Sequence, residues 1–160
     1  MGKKAEKTDV MRILDRSKIA YNSYDYSFTA ALSGTEVADA LGKDPACTFK
    51  TLVTQGASKA YYVFMVPVAD ELDLKKAARA AGEKSIAMIK SKELLPLTGY
   101  VHGGCSPIGM KKQFKTFIHL TAAEFDLILF SAGKIGYQVE MPLSELQKIV
   151  TVTSADITVS

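Results

Sequence analysis

The stretch from Gly99 to Gly109, GYVHGGCSPIG, places four glycines and a proline within eleven positions. With no Cβ in the way, the backbone amides of such a loop can turn toward an ester carbonyl, an oxyanion or a phosphate. A sharp turn that binds nothing uses the same residues. Lys111, Lys112 and Lys115 follow directly and favour an anionic partner, although charge runs also serve as solvated faces. Lys50 is the second candidate. It lies in a β-rich run, and period-two alternation puts it on the same face as Leu52. If Leu52 points inward, the Lys50 ammonium is partly buried and needs a substrate carbonyl or phosphate as partner. On an edge strand the same lysine would instead guard against aggregation.

The remaining reactive side chains are sparse. His102 and Cys105 form an H-x-x-C, with Cys47 and His119 elsewhere, but no second paired set completes a zinc site, so no metal is expected. A Cys–His nucleophile pair needs a thiol of lowered pKa and an oriented base, which spacing alone does not supply. A Walker loop, a GxSxG elbow, an HExxH pair and a Rossmann fingerprint are all missing, and no cofactor is expected.

Periodicity indicates the elements that must position these groups. Val10, Ile13 and Leu14 after Thr8 and Asp9 predict a helix to about Ser17, with either polar residue as its cap. Residues 21–28 predict a strand with Tyr24, Tyr26 and Phe28 on one face. Ser33-Gly-Thr-Glu36 is a capping box for a helix ending at Gly42. The runs 47–54 and 60–67 flank a five-residue loop and predict a hairpin. A helix over 70–81 stops at Gly82, and short strands are predicted at 85–89, 116–120, 127–131 and 137–141. Thr121-Ala-Ala-Glu124 offers a second capping box, Pro142 opens a last helix through Ile149, and 90–115 is read as one long connection. Strands outnumber helices in a mixed order, which predicts an α+β fold with a mixed, curved sheet.

At 160 residues, 48% hydrophobic and 23% charged, the chain is about one globular domain long, and disorder, collagen-like repetition and a coiled-coil rod are excluded. Twenty Lys and Arg against 17 Asp and Glu leave +3, which permits a polyanionic partner without the charge density of a DNA-coating protein. The longest apolar run, 60–69, is about half of the roughly 20 residues that cross a bilayer and holds Pro67, so no membrane association is expected. Two cysteines with no secretory segment point to a reducing cytoplasm. Residues 1–8 are polar and read as a disordered start, leaving residues 9–156 as the domain; the oligomeric state is open.

The segments Phe49-Lys-Thr-Leu-Val53, Leu72-Asp-Leu-Lys-Lys76, Thr98-Gly-Tyr-Val-His-Gly-Gly-Cys-Ser-Pro-Ile-Gly-Met-Lys-Lys112 and Ser131-Ala-Gly-Lys134, in that order, resemble the YbaK/EbsC family from about Val10 to Asp156. Together they are specific, whereas any one alone is not. The resemblance implies a compact α+β domain around a mixed, barrel-like sheet. It also implies a trans-acting aminoacyl-tRNA deacylase related to the editing domain of bacterial prolyl-tRNA synthetases, acting on cysteine mischarged on proline tRNA. The partners it implies are the aminoacylated acceptor stem and, as an option, prolyl-tRNA synthetase.

Carried over by position, Lys50 matches the family's essential lysine, Thr51 its neighbour, and Gly103 and Gly104 the glycine loop beneath the ester. Ser106 and Pro107 lie in the same substrate loop, Ser131 is the pocket serine and Tyr26 a pocket tyrosine. Lys75, Lys76, Lys111 and Lys112 are the lysines expected to meet tRNA phosphates. The chain departs from the pattern at Ser33, where a phenylalanine is expected, and at substrate-pocket residue Gln138, where an acid is expected. The likeness further implies that the substrate's own cysteine thiol is the nucleophile, so that neither Cys47 nor Cys105 is catalytic. The alternatives are hydrolysis of another small aminoacyl-tRNA, such as alanyl-tRNA, by an activated water, and a non-catalytic tRNA- or synthetase-binding module.

Overall fold

The computed structural model describes residues 7–31 and 33–159. Its organising element is β3 (Tyr61–Pro67), the antiparallel hairpin partner of β2 (Phe49–Gly56). Val63, Phe64, Met65 and Val66 are all fully buried because both faces of this strand are covered. Met65 faces the largest core with Phe49 and Ile118, while Phe64 and Val66 face a second cluster with Phe117, stacked on Phe64 at 5.3 Å. That second face is covered by α3 (Leu74–Ala81) through Ala77 and Ala78. Asp73 caps α3 through the amides of Lys75 and Lys76, and Gly82 ends it in the left-handed region at φ 72°. The helix therefore begins four residues later than the predicted 70–81, because the capping aspartate sets its start.

The five-stranded sheet runs β4-β2-β3-β5-β8, with β4 (Ile86–Met88) antiparallel to β2 and with β5 (Lys115–His119) and β8 (Val152–Ala155) joined by parallel pairing. A second, antiparallel sheet runs β1-β7-β6, formed by Asn22–Asp25, Tyr137–Met141 and Ile128–Ser131. The sheets meet where Thr48 bridges Leu129, and they enclose the main core with α1 (Asp9–Arg16), which contributes Val10 and Leu14. The result is α+β and barrel-like, although the single mixed sheet predicted from sequence is divided in two.

Several local expectations are corrected. Thr8, one of the two caps read from sequence though also counted in the polar lead, is buried and caps α1 through the amide of Met11, whereas residues 1–6 lie outside the described residues. The 21–28 strand ends at Asp25, whose carboxylate accepts the Ser27 amide at 2.8 Å and turns the chain, leaving Tyr26 buried and Phe28 exposed. The capping box at Ser33 forms and starts α2 (Gly34–Ala40), but Leu120–Glu124 is a 3₁₀ turn in which Thr121 Oγ1 has no partner and caps nothing. The 90–115 connection contains α4 (Ser91–Thr98), which tolerates Pro96 inside it and ends at Gly99 at φ 86°. The last helix, α5, is Leu143–Leu146 and stops short of Ile149, and β8 after it was not anticipated.

A buried carboxylate ties α2 to the smaller sheet. Glu140 on β7 is 4% exposed; its Oε1 accepts from Asn22 Nδ2 at 2.9 Å and Tyr24 Oη at 2.7 Å, and its Oε2 pairs with Lys43 Nζ at 3.3 Å. Burial alone would raise its pKa, but the three donors outweigh burial and hold it below the ordinary glutamate value. A pKa lowered in the folded state stabilises the fold above the unfolded value, and that stability is lost as pH falls through the folded one. Glu140→Gln is expected to cost about 1.5–3 kcal/mol at pH 7. It should also flatten the acid limb of stability, measured by urea unfolding between pH 7 and pH 3.

Candidate functional site

A cleft of about 520 Å³ opens along the part of β2 that precedes its pairing with β4, a volume ordinary for small-molecule sites. Lys50, Thr51, Leu52 and Val53 of β2 line it, together with Tyr26, the start of α2, Met88 to Ser91, His102, Gly103, Cys105, Ser131 and Gln138. The pairing register explains the arrangement. Lys50 stands opposite Val66, and because β4 reaches only to Thr54, Lys50 to Leu52 have no ladder partner on that side of β2 among the described residues. Lys50 is half-buried and has no ion-pair partner among the described residues.

Two buried polar atoms in the lining are unsatisfied, Thr51 Oγ1 and Gln138 Oε1. Gln138 is 7% exposed at the centre of the smaller sheet, between Tyr24 of β1 and Ser131 of β6. Buried polar groups left unpaired are costly, and in a cleft they mark places where a ligand supplies the missing partner. Ser131 Oγ accepts the Gly133 amide at 3.1 Å, which shapes the 132–136 turn.

The glycine loop is braced from within. Tyr100 Oη donates to the Ile108 carbonyl, Ile108 N donates to Ser106 Oγ at 3.3 Å, and Lys111 N donates to the Thr98 carbonyl at 3.0 Å. Gly104, expected from sequence to offer its amide to the ester, instead donates it to Val101 O at 3.0 Å and lies outside the lining. Its reason for being glycine is steric, since a Cβ would come within 3.1 Å of the Ile135 amide nitrogen. Gly103 lines the cleft at φ 88°. Ser106 and Pro107 are buried behind it and do not line it.

The structure thus brings together Tyr26, Lys50, Thr51, Gly103, Ser131 and Gln138, all singled out from sequence, and leaves the lysines apart. Lys75 and Lys76 are on α3, where Lys76 Nζ is tied to the Thr158 carbonyl at 2.8 Å and to Asp156. Lys111 and Lys112 are exposed beyond the glycine loop. Sequence reasoning missed Lys90 and Ser91 at the start of α4, because Pro96 and the glycines after it read as a loop. The only usable signal was Glu93, three residues after Lys90, whose carboxylate accepts the Lys90 amide at 2.7 Å.

The lining offers little reactive chemistry of its own. It contains no Asp or Glu among the described residues, and its imidazole, His102, is exposed in the loop. Burial pushes the Cys105 thiol up to about 12, so it stays protonated at neutral pH. Cys47 lies outside the lining, and burial, followed by the charges of Asp44 and Glu140, raises its pKa. The described residues hold no group of three His, Cys, Asp or Glu side chains placed for a metal, and no helix long and apolar enough to cross a membrane.

Comparison with known proteins agrees with this fold. A protein of Enterococcus faecalis assigned as a Cys-tRNA(Pro)/Cys-tRNA(Cys) deacylase, EbsC, is 41% identical over 157 residues, which span 98% of this chain and 96% of that protein. A crystal structure assigned as a trans-editing enzyme for prolyl tRNA synthetase superposes with a TM-score of 0.84 at 21% identity, over 98% of this chain and 100% of that one. The hypothetical protein APE2540 superposes with a TM-score of 0.86 at 18% identity, over 95% and 100%. These two structural likenesses concern the fold. The family model for the aminoacyl-tRNA editing domain matches residues 30–149, from the turn after Tyr26 to just past α5, and the chain belongs to that family.

Proposed function

We propose that this protein is a trans-acting hydrolase that clears mischarged aminoacyl-tRNA, with Cys-tRNA(Pro) as its substrate. The observation that carries this reading is the cleft itself, where, among the described residues, an unpaired ammonium, a buried hydroxyl and a buried amide oxygen face a space with no carboxylate and no activated thiol. Such a site can orient an ester and stabilise developing charge, but among the described residues no lining carboxylate orients His102 as the base that a side-chain nucleophile demands. The assignment of the relative from Enterococcus faecalis supports the same substrate.

The chemistry then falls to the substrate. The cysteine sulfur, losing its proton, bonds to the carbonyl carbon to form a four-membered thiolactone. The ester C–O bond breaks, the ribose oxygen leaves and takes up a proton, and water opens the thiolactone to free cysteine. Tethering of thiol and carbonyl within one residue supplies the proximity. The Lys50 ammonium and the Thr51 hydroxyl are the donors proposed to meet the oxyanion, with the Gly103 loop and Tyr26 shaping the space. Gln138 Oε1, an acceptor only, suits the α-ammonium of the aminoacyl group. This role places the protein in the cytoplasm with charged tRNA, with prolyl-tRNA synthetase as its candidate partner. A deacylation panel of Cys-, Ala- and Pro-tRNA(Pro) tests the assignment, and failure to release cysteine from Cys-tRNA(Pro) overturns it.

Of the lysines, Lys111 and Lys112 follow the glycine loop directly and are the better placed for acceptor-stem phosphates, whereas Lys76 is engaged by the C-terminal segment. Affinity for tRNA is expected to fall with salt at a log–log slope of about −2, each phosphate contact adding about 0.7–0.9. Changing both Lys111 and Lys112 to alanine should make that slope shallower by about 1.4–1.8, read from binding isotherms between 50 and 200 mM salt. A slope unchanged by the double substitution would place the phosphate contacts elsewhere.

A further inference from the structure

We infer that Phe28, Val101 and Ile135 form a stacking platform at the mouth of the cleft for the unpaired nucleobase at the 3′ end of tRNA. The inference rests on the deacylase reading and extends it from the ester to the nucleoside that bears it. Phe28 is 83% exposed, the highest value among the exposed large hydrophobic side chains of the described residues, with Ile135 at 51% and Val101 at 48%. The three belong to separate turns that the fold brings to one rim. The Tyr26 amide donates to the Gly136 carbonyl at 2.7 Å, and a Cβ on Gly136 would come within 2.8 Å of Ser27 Cβ, so the Phe28 turn is seated against the Ile135 turn. Ile135 Cγ1 in turn lies 3.6 Å from the Cβ position of Gly103, two residues after Val101. Tyr26 and Gly103, which flank these contacts, both line the cleft.

The occupant follows from the substrate's covalent structure. An aminoacyl ester held in the cleft is attached to the terminal ribose, so the first group outside the mouth is that ribose's base, which in the single-stranded 3′ end has no pairing partner. Every base has an apolar π-face, and an exposed phenylalanine flanked by aliphatic side chains offers it a surface without reading sequence. Lys90 in the lining and Lys111, whose Cγ lies 3.4 Å from the Cβ position of Gly99, supply positive charge for the phosphates on the 5′ side of that base. A protein partner seated on this rim would close the mouth to substrate, which favours a part of the substrate itself as the occupant.

The test measures binding of an uncharged RNA minihelix ending in CCA, and of the same RNA with an abasic 3′ nucleotide, to wild type, Phe28→Ala and Phe28→Trp by fluorescence anisotropy. At its exposure Phe28 contributes little to the core, so both variants are expected to fold as the wild type does. The expected result is about tenfold weaker binding of the intact minihelix by Phe28→Ala, retention by Phe28→Trp, and no effect of either change on the abasic RNA. With Cys-tRNA(Pro), Phe28→Ala should raise KM with kcat little changed. Equal binding of the intact RNA by wild type and Phe28→Ala, or equal weakening of both RNAs, overturns the platform. Because the binding arm needs no turnover, Phe28-dependent binding without deacylation would overturn the deacylase reading alone, and deacylation with Phe28-independent binding would overturn the platform alone.

Discussion

Replacing Lys50 by alanine is expected to lower deacylation of Cys-tRNA(Pro) at least ~100-fold while leaving the protein folded. Removal of one fixed donor from an oxyanion site typically costs about 2.7–4 kcal/mol, or 10²–10³ in rate. The structure separates this loss from a loss of stability. Lys50 has no ion-pair partner among the described residues, so truncation strands no opposite charge, and its backbone pairing with Val66 is untouched. A stability change within about 0.5 kcal/mol is therefore expected in urea unfolding. Lys50→Met, which keeps the length and apolar bulk of the stem without the charge, should be as inactive as alanine if the ammonium is what matters. A folded Lys50→Ala protein that turns over near-normally removes Lys50 from the reacting centre.

How much of this site could be read from the sequence depends on what kind of information each residue carries. Lys50 was legible because its strand is a run with a clear hairpin partner, and alternation then fixes its face relative to Leu52. The capping box at Ser33 and the stop at Gly82 are local signals, and both appear in the fold. The glycine loop was legible as a loop but not as to which amides stay free, since that depends on the closing bond from Gly104 to Val101. Gly104 is glycine because the 132–136 turn packs on it, a contact spanning about 30 positions that no local pattern reports. α4 was hidden by Pro96, and with it Lys90 and Ser91 at the cleft. β8 was hidden because Val152 alone among its first three residues is buried, which leaves no alternation to detect. Tyr26 was placed in the pocket from the resemblance, yet alternation put Phe28 on the same face, whereas an aspartate-capped turn at Asp25 ends the strand before Tyr26 and leaves Phe28 exposed.

Changing Cys47 to serine and Cys105 to alanine together is expected to preserve most activity on cysteinyl-tRNA, while alanyl-tRNA, which lacks the sulfur, is hydrolysed at least ~100-fold more slowly by either protein. Cys105 is the tempting nucleophile, since it lines the cleft inside the glycine loop. Its thiol, pushed up to about 12 by burial, holds almost no thiolate at pH 7, and among the described residues the lining provides no carboxylate to orient His102 as a base for it. Alanine is the appropriate replacement there, because Cys105 is 7% exposed among Val53, Val63 and Phe114 and a serine hydroxyl would be buried in an apolar cluster. Cys47 is outside the lining and its Sγ donates to the Asp44 carbonyl at 3.3 Å, which serine can reproduce. A substrate thiol needs none of this apparatus, being already two bonds from the carbon that carries the carbonyl. Loss of activity in a folded double variant would make a protein thiol the nucleophile. Equal cleavage of cysteinyl- and alanyl-tRNA would instead require an activated water, and the donors at Lys50 and Thr51 would then serve an oxyanion formed by attack from solvent.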